Sequence, residues 1–126
     1  MSIELNHTIV HVPDRDAGAR EVASLLGLEE PTRYGPFAVV ELANGVTLDF
    51  MTDDGEIAVQ HYAFLVGEEE FTAIHGRIVE RGQTFWADPF RQSPYEINTN
   101  DGGRGLYWEG PGGHNLEIIT VPYGGA

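Results

Sequence analysis

The sequence contains no cysteine and few basic side chains. Without cysteine there is no disulfide framework, thiolate zinc site, iron–sulfur cluster or thiol nucleophile. Seven Lys and Arg face twenty Asp and Glu, for a net charge of −13. General nucleic-acid binding is thereby excluded, because it needs a basic footprint to displace counterions. Docking to an anionic lipid surface is disfavoured for the same reason. No apolar run approaches the roughly 18 residues of a membrane span, and the N-terminus lacks a signal-peptide pattern. A soluble, cytoplasmic protein with no nucleic-acid or membrane partner is the expectation. What is present is enough apolar material for a core: 126 residues, 41% of them hydrophobic. That length fits one domain, 1–126, built of two modules, 1–56 and 57–126.

The two modules follow from an internal repeat. Gly45-Val-Thr-Leu-Asp-Phe-Met-Thr52 aligns with Gly113-His-Asn-Leu-Glu-Ile-Ile-Thr120, placing Asp49 on Glu117. His7-Thr-Ile-Val-His-Val12 aligns with His61-Tyr-Ala-Phe-Leu-Val66. Each half begins with a histidine on a strand and ends with a carboxylate on a strand. Between them lie helix signals. Pro13-Asp14 opens a stretch in which Ala19, Val22, Ala23 and Leu26 recur at helical spacing, and Gly27 is a stop. Glu68-Glu-Glu70 opens a second stretch with Phe71, Ile74, His75 and Ile78 on one stripe, closed by Gly82. Alternating segments at 37–42, 46–51, 84–86, 105–108 and 115–121 complete each half. Strand, helix, then two or three strands per half imply an α+β fold with one helix against each sheet. The second half is longer, and its surplus falls between Gln83 and Arg104. That stretch carries Trp86, Phe90, Arg91 and Tyr95 and reads as a functional loop or an added hairpin.

Successive strand residues point to opposite faces. The more apolar set of each strand should lie under the helix. The other set carries His7, Asp49, His61 and Glu117. A single strand histidine is ordinarily structural and a single strand carboxylate ordinarily solvated. Here the same chemistry recurs at equivalent places of two modules. Half-buried carboxylates without partners would cost several kcal/mol. A shared cation held by two imidazoles and one or two carboxylates removes that cost. The donor set suits a divalent metal ion: Fe, Mn, Ni or Zn.

These residues resemble the vicinal oxygen chelate superfamily, which includes glyoxalases, bleomycin resistance proteins and extradiol dioxygenases. The resemblance covers essentially the whole chain. It implies two βαβββ modules forming an open, cupped, mixed sheet with one helix per module. It also implies metal ligation by His7, His61 and Glu117, with Asp49 at the fourth position used in glyoxalase-type members. Asp49 is one methylene shorter than the glutamate usual there. Leu106-Tyr107 through Pro111 to Glu117 is similar to the extradiol signature. Gly110 stands where that signature has aspartate, and Asn100 where it has histidine. His61-Tyr-Ala-Phe and Glu68-Glu-Glu-Phe71 are similar to fosfomycin resistance proteins, with Tyr107 at their substrate-binding tyrosine. Ala87 replaces their lysine. The glutathione-binding arginine of glyoxalase I falls near His11.

The expectation is a metal-dependent enzyme, glyoxalase- or dioxygenase-like, acting on a small oxygen-bearing organic molecule. Tyr107 and His11 are the candidate catalytic groups. Tyr107 is a donor to a substrate oxygen. His11 shares the face of His7, roughly 13 Å along the strand, and is an acid–base group or substrate contact. Trp86, Phe37 and Met51 supply an apolar wall. Arg104 either reaches an anionic substrate or offsets nearby carboxylates. His75 reads as structural, and His114, after a Gly-Gly turn, as a hairpin residue. Homodimerisation is the default expectation. The alternatives are a non-catalytic drug- or metabolite-binding protein of the bleomycin-resistance type and a metal-free descendant.

Overall fold

Alternation in the first strand, β1 (His7–Val12), buries Val10 and Val12 and leaves His7 and Ile9 exposed. The computed structural model describes residues 2–125. Its packing divides the chain into two compact units, Met1–Ala58 and Val59–Ala126.

In the first unit β1 is followed by α1 (Arg15–Leu26), β2 (Thr32–Tyr34), β3 (Phe37–Glu41) and β4 (Thr47–Thr52). Asp14 starts α1. Its carboxylate accepts hydrogen bonds from the backbone N–H groups of Asp16 and Ala17 at 3.0 and 3.1 Å, satisfying donors the helix itself cannot. Gly27 ends the helix at φ 73°, a conformation that glycine adopts without strain. The helix buries Ala19, Val22, Ala23 and Leu25, and packs on β3, β4 and β1. Leu25, one place before the expected Leu26, is the deeper of the two. The strands run in the order β1-β4-β3-β2, with β1 parallel to β4 and the other pairs antiparallel. The helix returns the chain so that β2 runs parallel to β1, and two antiparallel reversals then bring β4 in beside β1 in the same direction. Strand β2 is not legible as a strand. It is three exposed residues between Pro31 and Gly35-Pro36, with no buried face to impose alternation.

The second unit repeats the plan with β5 (His61–Leu65), α2 (Glu68–Glu80), β6 (Phe85–Trp86), β7 (Gly105–Glu109) and β8 (Asn115–Ile119). The order β5-β8-β7-β6 again has one parallel pair, β5 with β8. Phe71, Ile74 and Ile78 of α2 are buried, as are Leu106, Trp108, Leu116 and Ile118 of the sheet. His75 sits edge-on to Phe85 at 5.0 Å, a packing role. Past the end of α2, Gly82 takes φ 65° and the Gln83 N–H bonds back to the Ile78 carbonyl at 3.1 Å. The fold class is α+β: two four-stranded mixed sheets with one helix in each unit.

The surplus stretch of the second unit is an excursion pinned at several points. The Asp88 carboxylate accepts from the N–H groups of Phe90, Gln92 and Ser93. Burial opposes ionisation of Asp88, but these backbone donors outweigh it and lower its pKa. Asn98 pairs with Gly105 and donates through Nδ2 to the Ala87 carbonyl at 2.8 Å.

Asp14→Ala removes the acceptor for two α1 donors. It is expected to lower stability by about 1 kcal/mol, read as a fall of roughly 3–5 °C in Tm for a chain of this size.

Candidate functional site

In the second unit β5 and β8 lie parallel with His61 opposite Asn115 and Ala63 opposite Glu117. All four therefore project from one face. The small Ala63 leaves room beside Glu117, and the His61 ring reaches across: its Nε2 lies 2.9 Å from Glu117 Oε1. Across β7 and β8, Tyr107 is the direct neighbour of Glu117. The Tyr107 ring meets the His61 ring edge-on at 5.9 Å. Glu117 is 1% exposed and Tyr107 8%. A carboxylate at that depth needs several polar partners.

One of those partners was not anticipated. The Tyr123 hydroxyl donates to Glu117, with Oε1 and Oε2 each at 2.8 Å. It also lies 3.5 Å from the Tyr107 hydroxyl. The repeat hides this residue, because six places beyond Asp49 the first module has Gly55 where the second has Tyr123. Its one sequence signal is Pro122-Tyr-Gly-Gly, a turn composition that can fold the chain back on β8. Burial, foremost, and the hydrogen bonds to Tyr123 and Glu117 hold the Tyr107 phenol well above its ordinary value. Burial raises Tyr123 as well, as does its bond to Glu117. Both phenols are therefore donors, not bases, at neutral pH.

The first unit carries the same register. His7 lies opposite Thr47 and Ile9 opposite Asp49, so His7 stands to Asp49 as His61 stands to Glu117. The contacts differ. Asp49 is buried, and its Oδ1 accepts the Thr47 hydroxyl at 2.8 Å. The exposed His7 ring donates from Nδ1 to the Asn6 side-chain oxygen at 2.7 Å. That bond leaves Nε2 as the ring's electron-pair donor, the tautomer in which metal-binding imidazoles are ordinarily held. His11 is on the same face, its Nδ1 3.3 Å from Asp53 Oδ2. Phe37 and Met51 are half-buried there.

The structure thus brings His61, Glu117 and Tyr107 together, and separately sets His7, Asp49 and His11 on one face of the first unit. Among the described residues no group of three or more His, Asp or Glu side chains clusters as a metal site. His61 Nε2 and Glu117 Oε1, 2.9 Å apart and hydrogen-bonded to each other, are the two donor atoms that a cation would take in place of the shared proton. Imidazole nitrogen with carboxylate oxygen is also the donor chemistry of Fe, Mn, Ni and Zn sites.

Other expectations resolve plainly. Arg104 offsets carboxylates: its Nε donates to Glu68 Oε1 at 2.8 Å and its guanidinium covers the Phe71 ring. His114 is buried, with Nδ1 accepting from the Gln60 N–H at 3.0 Å. On the Glu117 face, Arg91 lies over Trp86 at 4.8 Å and donates to Glu109 at 2.8 Å and to Asn115 at 3.1 Å.

No protein-family model matches the chain, and no curated protein matches it. Solved structures do. Oxidase ChaP-H1 is 61% identical with TM-score 0.96, over 98% of this chain and 100% of that one. Oxidase ChaP-H2 is 58% identical with TM-score 0.96, over 98% of each. A glyoxalase / bleomycin resistance protein from Catenulispora acidiphila is 25% identical with TM-score 0.66, over 94% of this chain and 100% of that one. The chain belongs to the vicinal oxygen chelate superfamily. In this superfamily member Gly110 lies against the Leu116 side chain. A Cβ at that position would meet the Leu116 side chain, which would have to shift to admit one.

Tyr62, Tyr107 and Tyr123 all have pKa values raised above 10.0 in the folded chain. In the unfolded chain they ionise near 10. Whatever stability this difference represents is complete below pH 10 and lost as the pH rises beyond it. Absorbance at 295 nm should therefore show fewer phenolates at pH 10.5 in native protein than in denaturant, where about three-quarters of the tyrosines are ionised.

Proposed function

We propose that this superfamily member is a metal-dependent oxidase acting on a small oxygen-bearing organic molecule. The observation that carries the reading is the buried Glu117 carboxylate in contact with His61 Nε2, beside a protonated Tyr107. The oxidase assignment draws on the 61% identity to Oxidase ChaP-H1. His61 and Glu117 are assigned as metal ligands, with His7 and Asp49 as the further donors that the family pattern implies. A divalent ion of this kind, when bound, acts as a Lewis acid toward substrate oxygens and stabilises charge developing on them.

The remaining roles belong to the chain itself. Tyr107, kept protonated by burial, donates a hydrogen bond to a substrate oxygen. That donor is fixed before the substrate arrives, so no reorganisation is needed as negative charge develops. His11, oriented by Asp53, accepts or returns a proton at its Nε2. Trp86, stacked under Arg91, offers a flat apolar surface for an organic ring.

Elemental analysis of purified protein should find a divalent transition metal. His61→Ala and Glu117→Gln should weaken its binding by more than about 100-fold, beyond what loss of an outer partner costs, and His7→Ala should weaken it likewise. Tyr107→Phe should retain the metal and lower turnover about 100-fold. Stoichiometric binding of an organic ligand by metal-stripped protein, with no oxidation under any metal, would instead establish a sequestering protein.

A further inference from the structure

The C-terminal turn is the least expected part of the structure and the most closely tied to Glu117. Beyond β8, the Thr120 N–H donates to the Arg104 carbonyl at 3.0 Å, and Thr120 Oγ1 accepts from the Arg104 N–H at 2.8 Å. Pro122 follows, and the Gly125 N–H closes a turn on the Pro122 carbonyl at 2.9 Å. Gly124 and Gly125 take φ of 83° and 76°, which residues with a Cβ rarely adopt. The turn carries Tyr123 back over the strand that the chain has just left.

Burial of its ring does not explain where Tyr123 sits, because the residue is 62% exposed. Its hydroxyl does. One phenol proton is shared by both oxygens of a carboxylate that is itself 1% exposed. Equal distances to both oxygens aim the carboxylate at the phenol but leave it free to turn about the Cγ–Cδ bond. His61 meets Oε1 from a second direction. Under the turn, Glu117, Asn98 and Val121 line a void of about 10 Å³, room for one water at most. The carboxylate therefore has little freedom to take another orientation.

We infer that Tyr123 is a positioning residue for the metal ligand Glu117: the C-terminal turn aims the carboxylate in the direction that coordination requires, and His61 limits its rotation. The inference rests on the assignment of Glu117 as a ligand. Outer hydrogen-bond partners of this kind typically contribute 10–100-fold to metal affinity. The first unit has no counterpart, since Gly55 occupies the equivalent place and Asp49 is held by Thr47 instead. The turn thus makes Glu117 the better prepared of the two carboxylates.

The test uses full-length, metal-stripped protein titrated with Co2+ alone, following its visible absorption, with Tm recorded in parallel. Tyr123→Phe should weaken Co2+ binding by about 10–100-fold and shift the absorption bands. Tyr34→Phe, which removes an exposed hydroxyl in the other unit, should change neither. A lower Tm in Tyr123→Phe with Co2+ affinity and spectrum unchanged would show a purely structural role and overturn the inference. Tighter Co2+ binding would also overturn it, by showing that the phenol competes with the ion. Absence of Co2+ binding to wild-type protein would overturn the ligand assignment itself.

Discussion

A carboxylate with 1% of its surface exposed is the constraint around which the second unit is arranged. An ionised group at that depth costs several kcal/mol unless it is hydrogen-bonded or paired. Three elements answer that demand. Strand β5 supplies His61, strand β7 supplies Tyr107 beside Glu117, and the C-terminal turn supplies Tyr123. Each contact follows from a register or a turn that the sequence imposes, so the site is a consequence of strand pairing. A buried carboxylate with an imidazole nitrogen beside it is a donor pair that suits a divalent cation.

The two units show how one register can give two environments. His7 and Asp49 occupy the same relative places as His61 and Glu117. The aspartate is one methylene shorter, and Thr47 lies two places before it where Asn115 precedes Glu117. Thr47 satisfies Asp49, whereas Asn115 is engaged by Arg91. Local hydrogen bonding has thus taken one carboxylate inward to its own strand and left the other facing its histidine.

Much of this was legible in the residues. The pseudo-repeat exposed both modules, because strand alternation and helix stripes repeat with a histidine and a carboxylate at fixed places. Asp14, Gly27 and Gly82 marked helix ends through capping chemistry that is local in sequence. The α+β class, the superfamily and the helix-facing sets of strand residues followed. Strand β2 was not legible, since its three exposed residues have no core to pattern them. Tyr123 was hidden because its role arises from a turn made by two glycines at positive φ, a tertiary fact without periodicity. The internal order of 87–104 was equally obscure. It depends on one carboxylate, Asp88, gathering several backbone donors, and on Arg91 and Tyr95 adopting left-handed backbone.

The most direct test of the account is anomalous diffraction from crystals grown with a divalent transition metal. The account predicts a single strong peak within about 2.0–2.2 Å of both His61 Nε2 and a Glu117 carboxylate oxygen. A map in which the ion lies elsewhere, with Glu117 still bonded to His61, Tyr107 and Tyr123, would contradict it.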